Sequence, residues 1–454
     1  MSSALLNGRT SLGASPDHNK SLPIFHAVSR HLPVQDEDQQ FWWKLTGHHL
    51  ARMMHEAGYP LHRQLEYLLF HRFKIVPCLG PRPQSAKPWY KSRVAAGAGD
   101  GSPIGYSWRF GTADRKPYIR NYIEPLGVLT GKPVDLLNQV ATKMLLQDLS
   151  TTLPNLDLSL FWAFEPHLRP HFADRVEKEK FAGPSLLVGV EMSPDSSAVD
   201  IKTYLYSRVP GQISQLLTTI LPQAMRDAYG DDVCLDSLNV VQDFMTLDPN
   251  GSQLTPPGTT AIDCCRLQDA RVKFYVVTRN TSFDHISAIM TLGGRRPLSA
   301  EILAQLRELW YELKGLPLDF PTSEQLPPLS GQEGATNPNG VSFYFDIQPR
   351  LASPDVKAYF DVGKHATSDM AAAETVIRFL ERHGRGQDPR AYLNVLQDIV
   401  PAEELETQKG TQAFFSVAVK KNELDITSYF IPQVYRRFAA VQVELNGQRR
   451  GLFE

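Results

Sequence analysis

A basic residue followed two positions later by tyrosine recurs along this chain and limits its possible folds more than any other feature. The pattern reads Arg120-Asn121-Tyr122, Lys202-Thr203-Tyr204, Lys273-Phe274-Tyr275 with Arg271 two residues ahead, and Lys357-Ala358-Tyr359. A fifth run, DITSYF, ends on Tyr429 without the cation. Each copy lies in a stretch of alternating residues, the two-residue period of a β-strand, so cation and tyrosine share one face. The copies stand about 70 to 85 residues apart, which marks a repeated supersecondary unit.

The segments between the copies repeat as well. Helical periodicity over Asp36–Ala57 and Leu61–Ile75 precedes strands at Ile104–Phe110 and Tyr118–Glu124, joined by a turn containing Asp114. Helices Pro133–Leu149 and Leu156–Leu168 precede strands Ser185–Met192 and Val199–Tyr206. Helices Ile213–Tyr229 and Leu235–Met245 precede Thr259–Arg266 and Arg271–Thr278. Helices Phe283–Leu292 and Ala300–Leu313 lead, through a Pro/Gly-rich loop, to Val341–Ile347 and Val356–Asp361. Helices Ser368–His383 and Pro389–Ile399 precede Gln412–Val419 and Glu423–Ile431. Five αα-ββ units make an α+β chain with about ten strands as five hairpins. Adjacent hairpins close into a ten-stranded antiparallel β-barrel surrounded by α-helices, which leaves no strand edge exposed. A barrel wider than eight strands is not filled by its own side chains, so a ligand cavity is expected. Several α+β domains in series is the competing layout, and the even recurrence argues against it. The expected boundaries are a disordered lead-in over residues 1–30, one barrel domain over 31–440 and a tail over 441–454.

If the barrel closes, Arg120, Lys202, Arg271, Lys273 and Lys357 converge. Net charge is only -2 over 454 residues, so any cationic site is local and neither nucleic acid nor an anionic membrane is indicated. Any one cation taken alone is better read as an outer-face residue paired with a carboxylate, but four recurrences beside tyrosine reverse that reading. Guanidinium forks and ammonium groups together suit a diphosphate. Tyr122, Tyr204, Tyr275, Tyr359 and Tyr429 would form an aromatic belt above it, stabilising a cation through ring quadrupoles and excluding water. Asp231-Asp232 and Asp236 have the wrong spacing for a magnesium-holding aspartate motif and read as a turn and helix cap, so no metal is expected. His26, His167, His285 and His365 have no Ser or Cys partner at recognisable spacing, which gives no support for hydrolysis. Gly293-Gly294 reads as a helix C-cap, and Trp42, Trp43 and Trp310 as helix residues packed on the barrel. No apolar run reaches 18 residues, and Cys78, Cys234, Cys264 and Cys265 show no disulfide or metal spacing. A reduced, cytoplasmic setting is expected.

The stretches YIRNYIEPLG, DIKTYLY, DARVKFYVVT followed by TLGGR, and PDVKAYFDV resemble the fungal indole prenyltransferases of the dimethylallyltryptophan synthase family. The resemblance runs from about Phe41 to Phe430. It implies an α-β-β-α barrel and metal-independent, dissociative transfer of a dimethylallyl group from dimethylallyl diphosphate to an electron-rich aromatic carbon, in fungal secondary metabolism. It places Arg120, Lys202, Tyr204, Arg271, Lys273, Tyr275, Lys357, Tyr359 and Tyr429 at diphosphate-binding and tyrosine-shield positions. The donor is a co-substrate, and no cofactor is implied.

The acceptor side departs from that family. Gly105 stands where the family has a Glu that accepts the indole N–H, Asp425 where a tyrosine is common, and Leu186–Val190 lacks a lysine found in some members. The expected acceptor is a bulky tryptophan-derived alkaloid or cyclic dipeptide, with Gly105 enlarging the cavity and Asp263, Glu191 or water taking the ring proton. A phenolic polyketide or quinolone acceptor is the alternative, as is a barrel that binds its ligands without turnover. Trp108 lies in the acceptor-side hairpin, where it either stacks on the substrate or packs in the core. An isoprenoid synthase is the rival enzyme class, distinguished by strict magnesium dependence.

Overall fold

The computed structural model describes residues 22–451, except 34–35, 98, 113–114, 170–174, 181, 208–209, 327–340, 364–365 and 387. Asp114 and His365 therefore lie outside the described residues, as do residues 1–21 of the expected lead-in.

Ten strands form one closed antiparallel barrel: β1 (Ile104–Arg109), β2 (Tyr118–Ile123), β3 (Leu186–Met192), β4 (Val199–Tyr206), β5 (Thr259–Asp263), β6 (Val272–Thr278), β7 (Val341–Ile347), β8 (Asp355–Asp361), β9 (Gln412–Lys420) and β10 (Glu423–Phe430). Each strand pairs with its sequence neighbours, and β10 closes the ring on β1 through the register Tyr106↔Phe430 to Arg109↔Thr427. Among the described residues, no strand of the barrel is left with an unpaired edge.

Strand alternation explains which side chains enter the bore. On β4, Val199, Ile201, Thr203 and Leu205 are buried under helices, whereas Lys202 and Tyr204 line the cavity. On β6, Val272, Phe274 and Val276 take the helix side, and Lys273 and Tyr275 the bore. Aromatic side chains of the outer helices meet those of the strands. Trp310 packs on Phe360 at 4.8 Å between ring centroids, Phe244 on Phe345 at 6.2 Å and Tyr392 on Phe430 at 5.8 Å. Burying a side chain of this size is worth about 1.5–3 kcal/mol, so this shell fixes which face of each strand points inward. Ser282, Ser299 and Ser368 cap three of the helices by accepting from His285, Ile302 and Ala371 backbone N–H groups.

Several expectations shift in detail. Pro23–His31 is a helix with Phe25 and Val28 buried, rather than part of a lead-in. Phe438–Gly451 is a helix that crosses the expected boundary at residue 440, with Val441 and Leu445 buried. β5 stops at Asp263 because Leu267–Asp269 turns the chain immediately afterwards. Asp231-Asp232 forms the turn between two helices as expected, but Leu235 occupies the cap position and makes no side-chain cap bond. Leu292, Gly293 and Gly294 take positive φ at a helix C-terminus. Trp42, Trp43 and Trp310 are buried in the helical shell.

Candidate active site

The bore holds about 790 Å³ not occupied by protein, including the part continuous with solvent. The sequence-predicted cations Arg120, Lys202, Arg271, Lys273 and Lys357 all line it, joined by Arg109 and Lys420. Lys273 and Lys357 are only 5% and 6% exposed. The cations and tyrosines form two layers because β2, β4, β6, β8 and β10 run the same way round the ring. On the first four of these, the tyrosine sits two residues further along the bore than its cation.

The odd-numbered strands supply most of the counter-charges. Register sets Arg120 opposite Glu191, Lys202 opposite Asp263 and Lys273 opposite Asp346. Glu191 pairs with Arg120 at 2.8 Å and with Lys202. Asp263 accepts from both Lys273 and Arg271 at 2.5 Å, and Arg271 reaches Asp346 at 3.1 Å. Asp425 on β10 holds Arg109 at 2.7 Å. Lys357 makes no ion pair within 4 Å among the described residues, and its Nζ lies 6.0 Å from the centroid of the Tyr344 ring. Among the described residues, seven lining cations thus face four buried carboxylates, with the partly exposed Asp355 also 3.9 Å from Lys420, leaving a positive excess suited to a multiply charged anion.

This arrangement decides what the two proposed bases can do. Burial alone would raise the Glu191 carboxyl, but Arg120 and Lys202 outweigh it and hold the group at about 2. For Asp263 burial is likewise outweighed, by Lys273, Lys202 and Arg271, which keep it below the ordinary carboxylate range. Glu191 lines the bore and Asp263 lies against its cations, and ion-paired carboxylates of this kind are weak proton acceptors. Burial lowers the Lys273 ammonium to about 8, against the pull of Asp263. If its charge contributes to anion binding, affinity for inorganic diphosphate should fall as pH rises past about 8, and Lys273→Arg should lose that limb; titration calorimetry from pH 7 to 9 checks this.

Above the cations stands the tyrosine layer. Tyr359 is its hub, with ring centroids 6.1 Å from Tyr275, 5.9 Å from Tyr344 and 5.6 Å from Tyr429; Tyr429 lies 6.1 Å from Tyr122. Tyr204 lines the same cavity. Burial drives the Tyr204, Tyr275, Tyr344 and Tyr359 hydroxyls up. Tyr429 is the exception: burial would raise it too, but Lys357 and Arg120 bring it below the usual phenol value. Tyr344 was missed because its strand carries no cation two residues before it, although Tyr344-Phe345-Asp346 has the alternation of the other bore strands.

The acceptor-side expectations fare differently. Gly105 pairs with Tyr122 across β1 and β2, and a Cβ at Gly105 would fall 2.6–2.8 Å from the Tyr122 ring. The space vacated by the absent side chain is therefore filled by Tyr122, and Gly105 does not enlarge the cavity. Gly105→Ala is expected to displace that ring and cost about 1–3 kcal/mol, measured by chemical denaturation, with Tyr122→Ala relieving the strain. Trp108 is 1% exposed and packs against Tyr392 on the helix side, so it does not reach the bore. His285 bonds Thr278 and Asn250, and His167 meets Asp227 outside the bore.

Among the described residues, no cluster of three or more His, Cys, Asp or Glu is arranged to hold a metal ion, no helix is long and apolar enough to cross a membrane, and all four cysteines are free.

Comparison with known proteins agrees with this geometry. The family described as tryptophan dimethylallyltransferase matches residues 38–395. Prenyltransferase nscD of Neosartorya fischeri is 72% identical over 455 residues, covering 100% of both chains. Its namesake from Aspergillus fumigatus is 72% identical over 450 residues, covering 99% of each. Among solved structures, NotF in complex with brevianamide F and DMSPP superposes with a TM-score of 0.73 at 21% identity, over 91% of this chain and 99% of that one. AnaPT from Neosartorya fischeri also gives 0.73 at 21% identity, over 90% and 97%. With a closed ten-stranded barrel, a full-length match at this identity and the family match over most of its length, the chain belongs to the tryptophan dimethylallyltransferase family and is a prenyltransferase enzyme.

Proposed function

We propose that the enzyme transfers a dimethylallyl group from dimethylallyl diphosphate to an electron-rich aromatic carbon, without an obligatory metal. The observation that carries this reading is the stacking of a cation layer under a tyrosine layer in one bore. Lys357, Lys273, Lys202, Arg120 and Arg271 neutralise the diphosphate, and its C–O bond breaks with the electron pair leaving on oxygen. The tyrosine rings surround the allyl cation, stabilise it through their faces and keep water from it. The acceptor's π electrons form the new C–C bond, and loss of the ring proton, to the departed diphosphate or to water, restores aromaticity. Glu191 and Asp263 serve to hold the cations in place. That NotF is described with DMSPP, and PriB with L-tryptophan and dimethylallyl thiolodiphosphate, supports a donor of this class. Free cysteines fit a reduced, cytoplasmic setting.

For the acceptor, an indole-derived alkaloid or cyclic dipeptide is the first class to test. One observation favours the phenolic alternative. Gly105 supplies no carboxylate, Tyr122 occupies its place, and the four bore carboxylates are already ion-paired. A phenol activates its own ring through its oxygen and needs no such partner.

The test is incubation of purified enzyme with labelled dimethylallyl diphosphate, EDTA and a panel of indoles, cyclic dipeptides, quinolones and phenolic polyketides. Metal-independent formation of a prenylated arene is expected. Strict magnesium dependence with chain-elongated products would overturn the reading in favour of an isoprenoid synthase.

A further inference from the structure

Strand alternation sets Arg109, Ser107 and Gly105 of β1 on one face, toward the bore, and the middle residue has no part in the chemistry so far. Ser107 and Arg109 both line the cavity. Register puts Ser107 opposite Arg120 on β2 and opposite Tyr429 on β10. Ser107 carries the only aliphatic hydroxyl among the described residues that line the cavity. It is fully buried, and its Oγ meets no hydrogen-bond partner among the described residues. Buried hydroxyls are ordinarily paired, because an unpaired one loses its hydration without return.

Its surroundings decide which ligand can reach it. Along β1 toward the tyrosine layer, the next bore position is Gly105, where the Tyr122 ring already fills the space of a side chain. That ring stands between the hydroxyl and the tyrosine end of its own strand. In the other direction comes Arg109, held by Asp425 at 2.7 Å. Across β2 comes Arg120, held by Glu191 at 2.8 Å. On the β10 side, Lys357 and Arg120 act on the Tyr429 hydroxyl, which places that neighbour too at the border of the cation layer. Ser107 therefore opens on the half of the bore that suits an anion. Guanidinium groups cannot accept a hydrogen bond, whereas a hydroxyl facing an anion donates one.

We propose that Ser107 is a catalytic residue whose Oγ–H donates to an oxygen of the bound diphosphate, adding a neutral, directional hydrogen bond to the charges around it. The inference rests on the prenyl-transfer reading above and adds to it a further residue that touches the donor. As the C–O bond breaks, the electron pair passes to the diphosphate and negative charge grows on its oxygens. The serine keeps its proton, and its hydrogen bond strengthens with that charge.

Ser107→Ala tests this. A hydrogen bond to a charged group is worth about tenfold to a hundredfold in affinity. Titration calorimetry should show inorganic diphosphate bound more weakly by that factor, and kcat/KM for dimethylallyl diphosphate should fall similarly with acceptor KM unchanged. The melting temperature of the empty variant should stay the same or rise, since an unpaired buried hydroxyl has been removed. Ser107→Cys, close in size but a weak donor, should recover little of the loss. Calorimetry with inorganic diphosphate reads the contact without turnover, so if the wild type binds it yet prenylates nothing in the panel, the functional reading fails while the contact is still decided. Unaltered diphosphate affinity in Ser107→Ala, or a wild type that binds none, would overturn the proposal. So would a lowered melting temperature, which would mark a structural hydroxyl, or a change confined to acceptor KM.

Discussion

Asp263→Asn is expected to destabilise the empty enzyme by about 3–5 kcal/mol, because it leaves buried cations without their shared carboxylate. Asp263 accepts from Lys273 and Arg271 and lies 3.8 Å from Lys202, so one substitution disturbs three charges. A ligand that replaces the lost negative charge should reverse much of that loss. Inorganic diphosphate at about 100 times its Kd adds about 2.7 kcal/mol to any protein that binds it only when folded. The variant should gain more than the wild type, because its cations lack their internal partner. Thermal melts of both proteins with and without diphosphate read this directly. Equal gains, or no loss in the empty variant, would remove the ion-pair account of the bore. The pH dependence has a definite sign. Glu191 and Asp263 are held below their unfolded values, so their stabilisation is present above about pH 4–4.5 and is lost as pH falls through the folded values.

Lys357→Met should do the reverse: lower kcat/KM by about 10²–10³ while leaving stability unchanged or raising it. Lys357 is buried in the bore without an ion pair among the described residues, and burial lowers its ammonium below the ordinary lysine value. A base depressed by folding opposes folding while it is charged, so its cost is full below its folded value and fades as pH rises through it. The methionine variant's stability advantage should therefore shrink at alkaline pH. Denaturant melts at pH 7 and pH 10, beside steady-state kinetics, separate the two effects. Loss of stability in Lys357→Met, or full activity, would contradict the role given to this residue. The pair of variants divides the bore into groups that hold it together and one that stands ready for the donor.

Much of this bore can be read from alternation alone. The cation-x-Tyr runs on β2, β4, β6 and β8 sit at the registers their spacing implies, because a strand packed under helices has only one face to offer the interior. Trp108 could have been assigned the same way, since it alternates with Ser107 and Arg109, both of which line the cavity. The odd strands were harder to read. Their contribution is an acid beyond a small or aromatic residue, as in Gly189-x-Glu191, Ala261-x-Asp263 and Tyr344-x-Asp346, and acids at strand ends ordinarily face solvent. The fate of the Gly105 space was beyond one-dimensional reading. It depends on the rotamer of Tyr122, a residue on the neighbouring strand.

The closing seam between β1 and β10 has a consequence for how the chain is made. Tyr106 must find Phe430 across more than three hundred residues, so the cylinder cannot seal until β10 has been made. Until the final hairpin emerges, the nascent sheet carries a raw border, which helices and chaperones must shield from sticking to its neighbours. Slow closure and sensitivity to any truncation that removes β10 follow from sealing the ring with its first and last strands.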